Sequence, residues 1–293
     1  MDRTKFIGAS EIAAVMGLSP WQTPLQVWMI KTGKVEPDDL SEVEAVEWGT
    51  RLERVVSDKF AEKNGVKLIA YKKRFVHEKY PFLSCELDNI ISGTDEIVEI
   101  KTANFFAHRD WKDEDDIPIH YVLQVMMQLG LSKRKVGHIA VLIGGQKYLE
   151  KRIEFDQALY DTMVESAVKF WDMVQNETPP ATMGADNETM VDLYPAEHND
   201  LIEENEDMND AIALIQESKM HIKELKAQQD EAEAKLKSVI GDNLGILTSK
   251  YKTTWKEQVS KRINTQAVKD DGLYDKYARE SKSRVLRVKL LNK

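Results

Sequence analysis

Residues 87–101 read Leu87-Asp88-Asn89-Ile90-Ile91-Ser92-Gly93-Thr94-Asp95-Glu96-Ile97-Val98-Glu99-Ile100-Lys101, and this stretch decides how the chain folds. Apolar, β-branched residues lie on both sides of Ser92-Gly93-Thr94-Asp95, a turn signal, so the pattern predicts a hairpin of strands over 83–91 and 96–102. Side chains two apart on a strand share a face. Glu99 and Lys101 therefore project together, while Ile100 points into the core. Asp88 is expected on the first strand of the pair. Ile97, Val98 and Ile100 mark a largely buried strand, where a carboxylate and an ammonium are expensive without a partner or a metal ion.

Upstream of the hairpin, Ser10 precedes Ile12, Val15 and Met16 and reads as an N-cap, with Gly17 and Pro20 ending that helix. A second helix, interrupted by Pro24, is expected over about 23–32. Leu52, Val55, Val56 and Phe60 recur at helical spacing from Trp48 to Asn64, in a helix that carries Glu53 and closes on Gly65. A strand over 66–76 leads into the hairpin. Downstream, a helix from Pro118 to Leu131 aligns Tyr121, Gln124 and Gln128 on one side. Strands at 136–143 and 147–154 follow, and a helix over 155–176 stops at Pro179 and Pro180.

The 293 residues are 42% hydrophobic and 31% charged, enough to bury one substantial α/β core and leave an extension. The expected domains are a main body over 1–180, an acidic linker with a long amphipathic helix over 181–245, and a basic segment over 246–293. In the second of these, Met208, Ala211, Ile215, Ile222, Leu225, Ala232, Leu236 and Val239 recur at near-heptad spacing, predicting about 40 helical residues that end at Gly241 and Gly245. Ser218 and Gln229 interrupt the seam, which leaves both a helical hairpin packing onto the main body and a coiled coil open. A terminal strand is expected over 284–291. No run of 18 apolar residues and no secretory pattern occur, so the chain is expected in the cytoplasm, away from membranes.

Charge is segregated along the chain. The net charge is −9, but residues 182–217 hold eleven Asp or Glu and no Lys or Arg, whereas 249–293 hold thirteen Lys or Arg against five acids. Lys250, Lys252, Lys256, Lys261 and Arg262 surround Trp255, on which a base could stack. DNA contact by this tail and internal pairing with the acidic segment both remain open.

With Cys85 as the only cysteine, zinc–thiolate and iron–sulfur sites are excluded, so any metal is held by oxygen. Asp88, Glu99, the carbonyl of Ile100 and waters would supply the octahedral oxygen shell of magnesium, with manganese as the alternative, and Glu53 would add a carboxylate. Such a metal assists in-line displacement at a phosphodiester. Lys101 would orient or deprotonate the attacking water, or stabilise the pentavalent phosphorus; spacing leaves these roles open. An acid two residues before a lysine is common on solvated strands, and Glu53 alone reads as a surface helix charge. The order of Ser10, Glu53, the hairpin and Gln124 sharpens the reading.

In that order the sequence resembles the PD-(D/E)XK nucleases and, among them, the YqaJ-type viral recombinases related to phage lambda exonuclease. The matching segments are Ile7–Ile12, Gly49–Glu53, Leu87-Asp88, Val98–Lys101 and Tyr121–Val125, although the family's proline before the aspartate is here Leu87. The resemblance implies a central mixed sheet flanked by helices, a restriction-endonuclease-like core. It also implies a magnesium-dependent 5′-to-3′ exonuclease that digests one strand of linear double-stranded DNA from its ends, leaving a single strand for an annealing protein in recombination. By position, Asp88, Glu99 and Glu53 match metal ligands and Lys101 the catalytic lysine. Gln124 and Tyr121 match the supporting helix, and Arg3 with Ser10 the pair gripping a terminal 5′-phosphate. A homo-oligomeric ring around DNA is implied in the same way. The alternatives are an endonuclease or repair nuclease of the superfamily, or a non-catalytic DNA-binding module.

Overall fold

A computed structural model of the chain describes residues 3–71, 73–106, 111, 117–194, 201–202, 207–279 and 284–288. It divides into an N-terminal unit, Met1–Pro195, and a C-terminal unit, Ala196–Lys293. Among the described residues, no helix is long and apolar enough to cross a membrane.

The N-terminal unit runs β1 (Ile7–Gly8), α1 (Ile12–Val15), α2 (Pro24–Lys31), α3 (Glu44–Asn64), β2 (Leu68–Ala70), β3 (Phe75–Val76), β4 (Leu83–Cys85), β5 (Asn89–Ile91), β6 (Glu96–Ala103), α4 (Ile119–Ser132), β7 (Val136–Ile143), β8 (Lys147–Glu154), α5 (Gln157–Gln175) and α6 (Thr189–Leu193). Five strands form a mixed sheet in the order β2-β5-β6-β7-β8, and β1-β4-β3 form a small second sheet. Strands β6 and β7 are parallel and joined through α4, while the other neighbours in the large sheet are antiparallel. This is the α/β architecture expected from the sequence, with the mixed central sheet that the resemblance implies.

Strand β6 is covered on both faces. Val98 and Ile100 pack with Val56 and Phe60 of α3, and Ile97 packs with Leu123 and Val125 of α4 in the larger core, which also takes in α1, α2 and α5. The turn from β5 to β6 forms as expected, with Gly93 at φ 82° and Thr94 N–H donating to the Ile91 carbonyl. The bounds of β7 and β8 match those expected from the sequence.

Several expectations need correction in this unit. Residues 66–76 and 83–91 are not two continuous strands: each crosses from one sheet to the other, giving β2 and β3, then β4 and β5. Asp88 consequently sits in the bend before β5 rather than on a strand. Helix α3 starts four residues earlier than Trp48, and Pro24 opens α2 at its first turn instead of interrupting it, with Thr23 as the N-cap. Finally, the stretch after Pro180 is packed chain, not linker, up to α6. Buried Asp186 accepts hydrogen bonds from the Thr23 hydroxyl and the Met183 amide, and Gln26 Nε2 donates to Thr189 Oγ1 at 3.1 Å, tying this segment to the start of α2.

The C-terminal unit contains α7 (Asp207–Ile240), an antiparallel hairpin of β9 (Gly245–Leu247) and β10 (Lys252–Thr254), and two short helices, α8 (Thr265–Asp270) and α9 (Tyr274–Tyr277). Helix α7 is one uninterrupted segment of 34 residues, which removes the helical-hairpin alternative. It stops at Gly241, and Gly245 belongs to β9 instead of ending the helix. Residues 284–288 form no strand, and the rest of the expected terminal strand lies outside the described residues.

Helix α4 is held against α5 at Gly130, where a Cβ would stand 2.1 Å from the Tyr160 ring. Overpacking of this kind costs about 1–3 kcal/mol. Gly130→Ala is expected to lower the unfolding free energy by that amount in urea titrations, with an unchanged m-value.

Candidate active site

The ladder between β5 and β6 pairs Asn89 with Val98 and Ile90 with Ile97, and goes no further. Beyond it the strands part, and the Ile100 amide donates instead to Asp88 Oδ2 at 2.8 Å. The opening in the sheet thus lies between Asp88 on one side and Glu99, Ile100 and Lys101 on the other. These residues, with Glu53 and Gly49 of α3, line a cleft of about 320 Å³.

Glu99 is the buried centre, at 4% exposure. Its Oε1 accepts from Lys101 Nζ and from Gln124 Nε2, both at 2.6 Å, and its Oε2 accepts from Gln128 Nε2 at 2.6 Å. Gln128 Nε2 also reaches the Glu86 carbonyl at 3.1 Å. Three donors around one carboxylate offset much of the cost of burying its charge. The helical spacing of Gln124 and Gln128 makes this possible, since residues four apart on α4 meet the same strand. Gln128 is visible in the sequence as part of that row, but its bond to Glu99 depends on how α4 lies across β6.

Lys101 lies with its ammonium 5.4 Å from the centre of the Tyr121 ring. Burial alone would depress its pKa, yet the charge and hydrogen bond of Glu99, with Asp88 and Tyr121, outweigh burial and hold it above the ordinary lysine value. Asp88 moves the opposite way to a normal carboxylate. Desolvation, then the charge of Glu99 and to a lesser degree that of Glu53, raise it to about 7 against the opposing Ile100 amide and Lys101.

The donor set suits a hard divalent cation. Asp88, Glu99, Glu53 and the Ile100 backbone offer oxygen in one cleft, and the raised Asp88 marks excess negative charge that a cation would neutralise. Burial pushes the Cys85 thiol up to about 12, so no soft ligand competes. Among the described residues, no group of three or more His, Cys, Asp or Glu side chains is arranged to hold a metal by itself. Magnesium does not demand one, because water and substrate phosphate complete its shell around one or two carboxylates.

A second cavity, of about 490 Å³, meets the first at Asp88 and contains Arg3, Ser10, Arg74 and Gln124. Arg3 and Ser10, the two residues that the resemblance pairs, both line this cavity, although Ser10 is not an N-cap. It sits inside a 3-10 turn, Ala9–Glu11, whose cap is Gly8, and α1 has only four residues. Glu11 accepts the Gly8 amide at 2.8 Å and pairs with buried Lys31 at 2.7 Å, so that turn is fixed from inside. Arg74 was not singled out by the sequence reading. Its guanidinium lies 4.0 Å from the Phe6 ring centre and donates to Ser84 Oγ at 2.6 Å. Nothing local in the sequence links it to Arg3, 71 positions away. A third cavity, about 310 Å³, joins Ser10, Lys101, Tyr121 and Gln124 to Trp21 and His120.

Residues 1–135 match the YqaJ-like viral recombinase domain. A protein of Bacillus subtilis (strain 168), described as uncharacterized protein YqaJ, is 33% identical over 300 residues, covering 99% of this chain and 92% of its own length. The chain belongs to the YqaJ family. Its fold is shared with the alkaline exonuclease LHK-Exo of Laribacter hongkongensis, at 18% identity and a TM-score of 0.51 over 60% of this YqaJ-family chain and 91% of the exonuclease. The same exonuclease in complex with dAMP superposes with a TM-score of 0.50 at 20% identity, over 60% and 91% of the two chains. The PD-(D/E)XK nuclease fold expected from the motif order is thus present.

Two outcomes follow from the charge balance. An unfolded Asp titrates near 3.9, so between about pH 4 and pH 7 the folded chain keeps a proton that the unfolded chain sheds, and stability falls as pH rises through that window. Asp88→Asn is therefore expected to melt above the wild type at pH 8 without metal, by on the order of 2 kcal/mol, and equally at pH 4. Millimolar magnesium should narrow the gap at pH 8. Gln128→Leu, which leaves Glu99 Oε2 without its donor, is expected to weaken magnesium binding about 10- to 100-fold, measurable by calorimetry.

Proposed function

We propose that this chain is a magnesium-dependent 5′-to-3′ exonuclease acting on the ends of linear double-stranded DNA, leaving single strands for recombination by annealing. The observation that carries the reading is the Glu99–Lys101 pair, bonded by Gln124 and Gln128, facing Asp88 across the opening between β5 and β6. The family and the fold shared with an alkaline exonuclease support it.

Asp88 and Glu99 would hold the cation, with Glu53 and the Ile100 carbonyl on the same cleft wall. When bound, a divalent cation supplies an activated water near neutral pH and offsets charge on the scissile phosphate. Lys101, held as an ammonium against Glu99, would stabilise negative charge building at phosphorus. Glu99 aims that ammonium, and Gln124 and Gln128 keep Glu99 in place. Tyr121 packs beside Lys101 and supports it. Arg3, Ser10 and Arg74 form a cationic pocket for a terminal 5′-phosphate next to the cleft. Manganese would substitute for magnesium, an annealing protein would take up the single strand, and a ring of copies would retain the duplex.

The test is digestion of 5′-phosphorylated linear duplex with magnesium. Lys101→Ala is expected to lose about 100-fold or more in rate, and label at the 5′ end should be released first. Equal rates for the two proteins would overturn the site. Release from the 3′ end would overturn the polarity, and cutting of closed circles would identify an endonuclease. Arg3→Ala and Arg74→Ala should each reduce the preference for 5′-phosphate over 5′-hydroxyl ends.

A further inference from the structure

Within the C-terminal unit, helix α7 carries an apolar stripe that lies open. Ile222 is 66% exposed, Leu225 64% and Val239 68%. Starting at Met208, the positions 208, 211, 215, 218, 222, 225, 229, 232, 236 and 239 are spaced alternately three and four residues apart, the a/d seam of a coiled coil. Nine of these ten residues are exposed and Ile215 is half-buried. A helix of 34 residues gains most of its stability in water by packing such a seam against another element.

We propose that α7 pairs antiparallel with α7 of a second copy of this chain, about a two-fold axis passing between Lys223 and Glu224. A two-fold interface must be self-complementary: where residue i meets j, j meets i. With Ile222 seated on the partner's Leu225, position 218 faces 229, 215 faces 232, 211 faces 236 and 208 faces 239. The only two polar residues of the seam, Ser218 and Gln229, then meet each other. They hydrogen-bond across the interface instead of each standing unpaired against apolar surface, where the penalty is about 1–3 kcal/mol. Both alanines meet large side chains, Ala211 the partner's Leu236 and Ala232 the partner's Ile215, so the layers keep similar volumes.

A parallel pair lacks this fit. Each residue would then face its own copy, stacking Ala on Ala in two layers and leaving gaps there. The flanks of the antiparallel pair are tolerant. Lys219 meets the partner's Lys226, but Lys226 already has Asp230 on its own helix at 3.1 Å. The pairing joins two catalytic units in one particle.

The test uses the full chain with cysteines introduced on the seam. Ser218→Cys combined with Gln229→Cys is expected to form interchain disulfides under mild oxidation. Ser218→Cys alone, and the wild type with its buried Cys85, should form none. Light scattering of the wild type should give an even multiple of the 33.6 kDa chain mass, halved by Ile222→Glu with Leu225→Glu. Cross-linking by Ser218→Cys alone would show a parallel pair and overturn the proposal. A wild-type monomer, or a double variant that does not cross-link, would overturn it too.

Discussion

The Glu99 carboxylate, sealed inside the N-terminal unit, sets the terms on which the rest of that unit is built. Moving a carboxylate out of water costs several kcal/mol even after relaxation, and it persists only where partners surround it. Lys101 comes from the same strand, two residues on. Gln124 and Gln128 arrive from α4, which must cross between parallel β6 and β7 at a depth that puts both amides on one carboxylate. Gly130, in contact with the Tyr160 ring, lets α4 and α5 approach closely. A shift of α4 by one residue would carry both glutamines off β6.

The second constraint is the parting of β5 from β6. Had the hairpin continued its ladder, the Ile100 amide would bond to a strand carbonyl and no cleft would open at the centre of the sheet. Instead the chain changes sheets twice, at Tyr71 and at Glu86–Asp88, and Asp88 takes the freed amide. The result sets two carboxylates close together in poorly hydrated surroundings, and the protein tolerates a strained charge balance at the point where a cation would restore it. Sites that violate the rules of stable burial in this way are where chemistry is expected.

The C-terminal unit follows different physics. Among the described residues its long helix has no buried charge network to satisfy, and it carries a largely exposed apolar seam with two polar positions placed symmetrically along it. The acidic run that precedes the helix and the basic run that follows it keep the net charge of −9 from describing either part of the chain.

Local periodicity is what the sequence by itself determined. Alternation two apart put Glu99 and Lys101 on one face and Ile100 on the other; spacing of three and four lined up Tyr121, Gln124 and Gln128; Ser92 to Asp95 announced the turn; and β7 and β8 stand at the bounds expected for them. Each of these depends on residues within about one turn or one hairpin of one another, where backbone geometry dictates direction. The tertiary structure alone decided that Asp88 sits at a joint between two sheets, that Arg74 joins Arg3 and Ser10, that Gln128 closes the shell of Glu99, and that Asp186 reaches back to Thr23. Those contacts span 29 to 163 positions or depend on where a strand leaves its sheet. Nothing in the intervening residues encodes them, because they are set by how complete elements pack and which backbone groups that packing leaves to be satisfied.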